Sequence, residues 1–225
     1  MMPLGLTLAL GLCAMLVQRS RARRLGPDPA FLAAPPARLL RYPSLMGPRR
    51  ASDILYASAL HADALEPSTT TGNVLDYRRS KLLWHGEAVA PDLAERMRAM
   101  APECAEMLGI APFPMGELET QVTVSSGGDY FKRHDDNGSP ETRARRISWV
   151  YYLHRTPRPF QGGELVVYGA RLPDGTPGSY VIEPENDTLI VFPAETLHEV
   201  RPVRAPSCSP LDARVTVNGW IREAI

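Results

Sequence analysis

The chain has 225 residues, 44% of them hydrophobic and 22% charged, and a formal net charge of +0. That composition is globular and excludes a disordered chain, while the balanced charge gives no strong nucleic-acid signal. Three cysteines (Cys13, Cys104, Cys208), odd in number and far apart, exclude a disulfide framework and a Cys-x-x-Cys zinc site, and they fit a reducing compartment.

Residues 3–17 are uncharged and mostly apolar, and Arg19, Arg21, Arg23 and Arg24 follow. The run is shorter than the about 20 residues a spanning helix needs. Basic residues flanking an inserted segment stay cytoplasmic. Residues 1–24 are therefore read as an anchor tethering a cytoplasmic domain to the membrane, as a disordered tail, or as an over-long start, since Met15 could also begin the chain. The prolines of 25–50 predict an irregular linker.

Ser52 is placed to cap a helix running to Ala64, with Leu55, Ala59 and Ala62 as a partial apolar stripe. Residues 67–73 read as a loop, and Tyr77–Trp84 enters a strand. A second helix is predicted over Pro91–Leu108, where Leu93, Met97, Met100, Cys104, Met107 and Leu108 recur at helical spacing. Pro102 should kink or split it, and Gly109 ends it. Residues 51–116 thus form a helical support region.

From residue 117 the period becomes two. Leu118, Thr120, Val122 and Val124 alternate with their neighbours, and strand candidates follow at 129–134, 146–153, 163–168, 179–183, 187–192, 198–203 and 213–222. No amphipathic helix interrupts 117–225, and there is no internal repeat. Short strands without crossover helices predict an antiparallel sandwich or barrel.

The chemistry centres on Tyr130-Phe131-Lys132-Arg133-His134-Asp135-Asp136-Asn137. Side chains at i and i+2 of a strand leave the same face, so His134 and Asp136 point at one spot and Asp135 points away. An imidazole and a carboxylate are two members of a 2-His-1-carboxylate set, which suits non-haem Fe(II) and leaves open coordination positions. His198, following an apolar strand and a turn, can supply the third ligand. In the alternating run from Arg214, the residues Arg214, Thr216, Asn218 and Trp220 share one face. A cation there needs an anion, which a dicarboxylic co-substrate provides. His61, His85 and His154 have no matching partners.

Taken together, His134-x-Asp136, Tyr151-Tyr152-Leu153, Gln161-Gly162-Gly163-Glu164-Leu165, Ile182-Glu183-Pro184, Phe192-Pro193, His198-Glu199-Val200 and Arg214…Trp220 resemble the 2-oxoglutarate- and Fe(II)-dependent dioxygenases of the prolyl 4-hydroxylase type. The resemblance covers about 117–225. It implies a mainly β, α+β fold: a double-stranded β-helix (jelly roll) with N-terminal supporting helices. It also implies His134, Asp136 and His198 as iron ligands, Arg214 on the distal carboxylate of 2-oxoglutarate, and Tyr152 beside it. Fe(II), 2-oxoglutarate and O2 would be consumed or held in turnover, giving succinate and CO2, with L-ascorbate as an accessory left open. The expected substrate is a prolyl or similar side chain in a peptide or protein. A free amino acid, another small molecule or an alkylated nucleobase is the alternative, and a non-catalytic jelly-roll binding module is the rival from another class.

Two departures from the family pattern stand out. Arg214 follows His198 at an unusually long distance, so Arg204, in the intervening Pro/Ser loop, competes as the anion ligand. Phe131 occupies a position where relatives often carry a tyrosine.

Overall fold

A computed structural model describes residues 30–31, 38–68, 76–171 and 177–225. Expectations for residues 1–24, and most of those for the loop at 67–73, fall outside this set. Among the described residues no helix is long and apolar enough to cross a membrane.

In chain order the elements are β1 (Ala30–Phe31), β2 (Leu40–Pro43), α1 (Pro48–Leu60), β3 (Glu66–Pro67), β4 (Arg78–Arg79), β5 (Lys81–Trp84), α2 (Pro91–Leu108), β6 (Met115–Ser125), β7 (Tyr130–His134) and β8 (Arg145–Leu153). There follow β9 (Gln161–Gly162), β10 (Leu165–Arg171), β11 (Pro177–Ile182), β12 (Thr188–Pro193), β13 (His198–Val200), β14 (Val203–Arg204) and β15 (Arg214–Glu223). An 8-stranded sheet runs β1-β2-β12-β8-β15-β6-β5-β3. A 5-stranded sheet runs β11-β10-β13-β7-β4, and β14 pairs with β9. All pairings are antiparallel, as the short strands without crossover helices require. Two facing sheets with helices against one outer side make the expected jelly roll.

The strand period of two separates two cores. On β8, Ile147, Trp149, Tyr151 and Leu153 pack outward beneath the helices together with Val215, Val217 and Ile221 of β15. Tyr152 faces inward, with Leu165, Val167, Ile190 and Phe192 between the sheets. Central strands covered on both sides read as nearly continuous apolar runs, which is why β12 is buried throughout.

The helices differ from expectation in detail. α1 starts at Pro48 after Gly47, not at a Ser52 cap. Proline suits the first helical position because its missing N–H would have no intrahelical partner there. Its buried stripe is Ala51, Ile54, Leu55 and Ser58, and it stops at Leu60; Ala62–Ala64 is a 3-10 turn. α2 runs through Pro102 as one helix, so the split, one of the two expectations, does not occur. Leu93, Met97 and Met100 before the proline and Cys104 and Leu108 after it are buried on the large sheet. Packing on both sides of the lost hydrogen bond holds the helix together. Gly109 terminates it with φ 67, a left-handed conformation that favours glycine.

The predicted linker at 25–50 is also revised at its C-terminal end. Leu39, Leu40, Tyr42 and Leu45 are buried, and β2 adds to the large sheet alongside β12. Proline density hid a short apolar strand: among the described residues Pro43 closes it and Pro48 already opens α1.

Candidate metal centre and its cavity

His134 closes β7 and His198 opens β13, and the two residues are direct cross-strand partners. A bulge in this ladder sets Phe131, not Lys132, opposite Val200 and so brings Phe131 and His134 onto one side. Their rings stack with centroids 3.4 Å apart. Asp136 lies beyond the strand end, in a bend, and not on a continuing strand. Its backbone N–H donates to Ala194 O at 2.9 Å. The Ser148 hydroxyl donates to Asp136 Oδ2 at 2.6 Å and aims the carboxylate.

The three side chains converge. His134 Nε2 lies 3.6 Å from Asp136 Oδ1, and His198 Nε2 lies 3.6 Å from Asp136 Oδ2. One ligand atom from each residue falls within 4.8 Å of the others. In both histidines Nδ1 faces a carbonyl oxygen, Lys132 O at 2.7 Å and Thr196 O at 2.8 Å. A carbonyl only accepts, so Nδ1 carries the proton and each Nε2 presents a lone pair to the common centre. Sequence could not reveal these acceptors, because each is a backbone atom two residues upstream.

Burial, then the neighbouring His198, pushes the His134 imidazole down to about 3, which keeps it neutral. Burial alone would raise the Asp136 carboxyl, but the two imidazoles and the Ser148 hydroxyl outweigh it and hold the group ionised. Two neutral nitrogens and one carboxylate form a donor set for a divalent transition metal with positions left open. The residues present therefore fit the ferrous ion the sequence implied.

A cavity of about 70 Å³ leads inward from this centre. Its polar wall includes Gln121, Thr123, Thr216 and Asn218, with Arg214 among the lining residues. Arg214 is 3% exposed, and its Nε donates to Gly163 O at 2.9 Å. Its guanidinium makes no ion pair with a described residue, and burial lowers its pKa while Tyr152 and Glu164 oppose the shift. The carbon Cζ sits 5.0 Å from the centroid of the Tyr152 ring. The Tyr152 hydroxyl is buried beside that cation, whose charge and N–H groups oppose the rise that burial causes in its pKa, and it meets no other described hydrogen-bond partner. Gln121 Oε1 is likewise buried without a partner among the described residues. A bound dicarboxylate, which only accepts, would satisfy the unpaired buried cation and the Tyr152 hydroxyl; Gln121 Oε1, itself an acceptor, needs a donor from elsewhere.

Arg204, the competitor, is exposed on β14 opposite Gln161 and does not line the cavity. The loop preceding β15 holds a 3-10 turn at Pro210–Asp212 and delivers Arg214 to the inner face, directly opposite Ser125. Gly163 was visible in sequence only as a turn. Its φ is 74, and a Cβ there would stand 2.6 Å from Arg214 Cδ. The glycine turn is thus the seat of the guanidinium. His154 lies away from the cavity, its ring edge-on to Phe160.

Above the metal centre the cavity meets an outer groove of about 640 Å³. Arg78, Phe131, His134, Asp136 and Trp220 belong to both and form the throat. Trp84, 47% exposed, and Leu197, 45% exposed, stand at the groove's edge. Arg78 was not singled out by sequence; a dibasic Arg78-Arg79 at a strand start carries no signal of burial.

Comparison with known proteins agrees with this geometry. Residues 120–222 match the model of the 2OG-Fe(II) oxygenase superfamily. An uncharacterized PKHD-type hydroxylase of Synechocystis sp. is 37% identical over 162 residues, covering 69% of this chain and 54% of that protein. The chain thus spans about half the length of the curated relative it matches. Among solved structures, a Pseudomonas putida prolyl-4-hydroxylase superposes with a TM-score of 0.62 at 22% identity, over 83% of this chain and 93% of that one. A Trichoplax adhaerens prolyl hydroxylase, solved with a hypoxia inducible factor peptide fragment, gives 0.64 at 18% identity over 82% and 83%. At these identities the structural likeness speaks for the fold. Residues 120–222 are thus similar to the 2OG-Fe(II) oxygenase superfamily, and the likeness to the PKHD-type hydroxylase runs over 162 residues.

Proposed function

We propose that the protein is an Fe(II)- and 2-oxoglutarate-dependent dioxygenase that hydroxylates a prolyl or similar side chain in a peptide or protein. The observation that carries this reading is the convergence of His134, Asp136 and His198 at one end of a cavity that also contains a carboxylate-free buried guanidinium. The relative's designation as a PKHD-type hydroxylase and the peptide bound to the Trichoplax enzyme support a peptide acceptor.

Bound iron with 2-oxoglutarate and O2 supplies oxidative decarboxylation to succinate and CO2 coupled to hydroxylation of a C–H bond. The chain's own part is positioning and shielding. His134, Asp136 and His198 hold the metal through Nε2, a carboxylate oxygen and Nε2, with Lys132 O, Thr196 O and Ser148 fixing their orientation. Arg214 takes the distal carboxylate of 2-oxoglutarate, and the Tyr152 hydroxyl donates a hydrogen bond to it. Phe131 stacks on the His134 imidazole and Phe192 meets that of His198 edge-to-face, and together they shield the two rings from bulk water. The acceptor approaches from the outer groove, because the narrow inner cavity is taken by the co-substrate. L-Ascorbate belongs to this reading as an external reductant that keeps the iron ferrous.

The test is purified protein with Fe(II), 2-oxoglutarate and O2, reading succinate against a prolyl-peptide panel, a free amino acid and small-molecule panel, and alkylated DNA. Acceptor-stimulated succinate with a peptide supports the proposal; stimulation only by another panel reassigns the substrate, and none with metal-loaded protein favours a binding module. The same assay with and without ascorbate measures its contribution. The membrane tether through residues 3–17 is a separate proposal, tested by removing residues 1–24 and fractionating cells: an unchanged distribution overturns it.

A further inference from the structure

Arg78 is a second carboxylate-free guanidinium at the same site. It sits at the throat, on the strand pair β4–β7 directly opposite Phe131. Its Nε donates to Ser80 Oγ at 3.2 Å, and its Cζ lies 4.8 Å above the Phe131 ring. Neither terminal nitrogen has a hydrogen-bond partner among the described residues, and no described carboxylate forms an ion pair with it. Arg145, which lines the outer groove, is paired with Glu119, a carboxylate that Arg222 also reaches. Burial pushes the Arg78 pKa down to about 10, with the Asp136 carboxylate opposing.

Charge balance sharpens the question, and this step rests on the function proposed above. A ferrous ion with two neutral imidazoles and the Asp136 carboxylate carries one positive charge. Arg214 adds a second, and 2-oxoglutarate, a dianion, cancels both. Arg78 then leaves the loaded throat with one uncompensated cation. On the groove side Arg133 and Asp135 offset each other, while Arg145 shares the one carboxylate of Glu119 with Arg222, so no spare anion among the described residues faces Arg78. The guanidinium is half-buried and without a carboxylate, so a ligand that arrives with an anion gains where a neutral one does not. The planar fork of a guanidinium suits a carboxylate held through two parallel N–H donors.

We propose that Arg78 anchors a carboxylate carried by the acceptor substrate, at the point where the outer groove narrows onto the metal centre. The carboxylate is either the C-terminal group of the residue that is hydroxylated or an acidic side chain flanking it.

The experiment uses protein loaded with Fe(II) and 2-oxoglutarate under anaerobic conditions, so that binding is read without turnover. It is titrated calorimetrically with matched probes: N-acetyl-L-proline against N-acetyl-L-prolinamide for the terminal source, and capped pentapeptides with Asp-Pro against Asn-Pro for the side-chain source. In at least one pair the acid is expected to bind at least tenfold more tightly than its amide. Arg78→Gln should bring that ratio to within about twofold, and Arg78→Lys should keep part of it. A merely structural role over Phe131 would weaken acid and amide alike. Equal affinities in both pairs, no binding by any probe, or a preference that survives Arg78→Gln overturns the assignment, the first two without needing a variant to fold. Binding of 2-oxoglutarate is measured beforehand on the same preparation. Its failure removes the proposed function and this inference together, whereas its success with no acid preference removes this inference alone.

Discussion

Gly163 does more than turn the chain: its carbonyl receives Arg214 Nε, and its missing Cβ leaves room for the Arg214 stem. Gly163→Ala is therefore expected to raise the KM for 2-oxoglutarate by about tenfold, since a non-glycine residue at φ 74 and the displaced carbonyl together cost on the order of 1–3 kcal/mol. Steady-state kinetics at saturating acceptor measures it. Arg214→Ala should raise the same KM by about 10- to 100-fold, the range for losing a charged hydrogen-bond partner, while Arg204→Ala leaves it unchanged. An effect of Arg204→Ala matching that of Arg214→Ala would transfer the role. At this scale the sequence picked out the candidate ligands and the inner cation, because His-x-Asp and an arginine heading an alternating strand are local patterns. Arg78 and Ser148 escaped it, since their importance lies in what faces them across the fold.

At the scale of elements, α2 is the support on which the large sheet rests. Met97 has no exposed surface and packs in the outer core beneath that helix. Met97→Ala should lower the unfolding free energy by about 2–5 kcal/mol, read by chemical denaturation. Cys104 on the same face is buried against the Tyr42 hydroxyl, and burial pushes its thiol up to about 11. In the native protein a thiol reagent should modify exposed Cys208 and spare Cys104 until the fold is lost, as peptide mass mapping will show. Helical spacing of apolar residues predicted α2 to the residue. Its continuity through Pro102 was not legible, because local propensity argues for a break and only the sheet beneath supplies the opposing energy. The same holds for β2, where proline density argued for a linker and burial against β12 made a strand.

For the molecule as a whole, the metal centre couples stability to pH. In protein freed of metal, His134 is held neutral down to about 3, against an ordinary value of 6.5. Between those values the unfolded chain binds a proton that the folded one refuses, so stability rises with pH across the window and falls on acidification. Asp136 acts in the same sense: its carboxyl is held below the ordinary 3.8, so its contribution is present above that value and is lost in stronger acid. The denaturation midpoint of metal-free protein should be lower at pH 5 than at pH 7, and a constant midpoint would contradict a neutral buried His134.

The sequence by itself determined the class of fold, pointed to His134, Asp136 and His198 as candidate metal ligands, and carried the likeness to 2-oxoglutarate enzymes. Period-two runs, helical spacing and short motifs are properties of neighbouring residues. Only the tertiary structure decided that Arg214 and not Arg204 enters the cavity, that backbone carbonyls fix both imidazoles, and that Arg78 stands unpaired at the throat. Each of these depends on which strands pair and in what register, and residues far apart in the chain meet only once the two sheets close on one another.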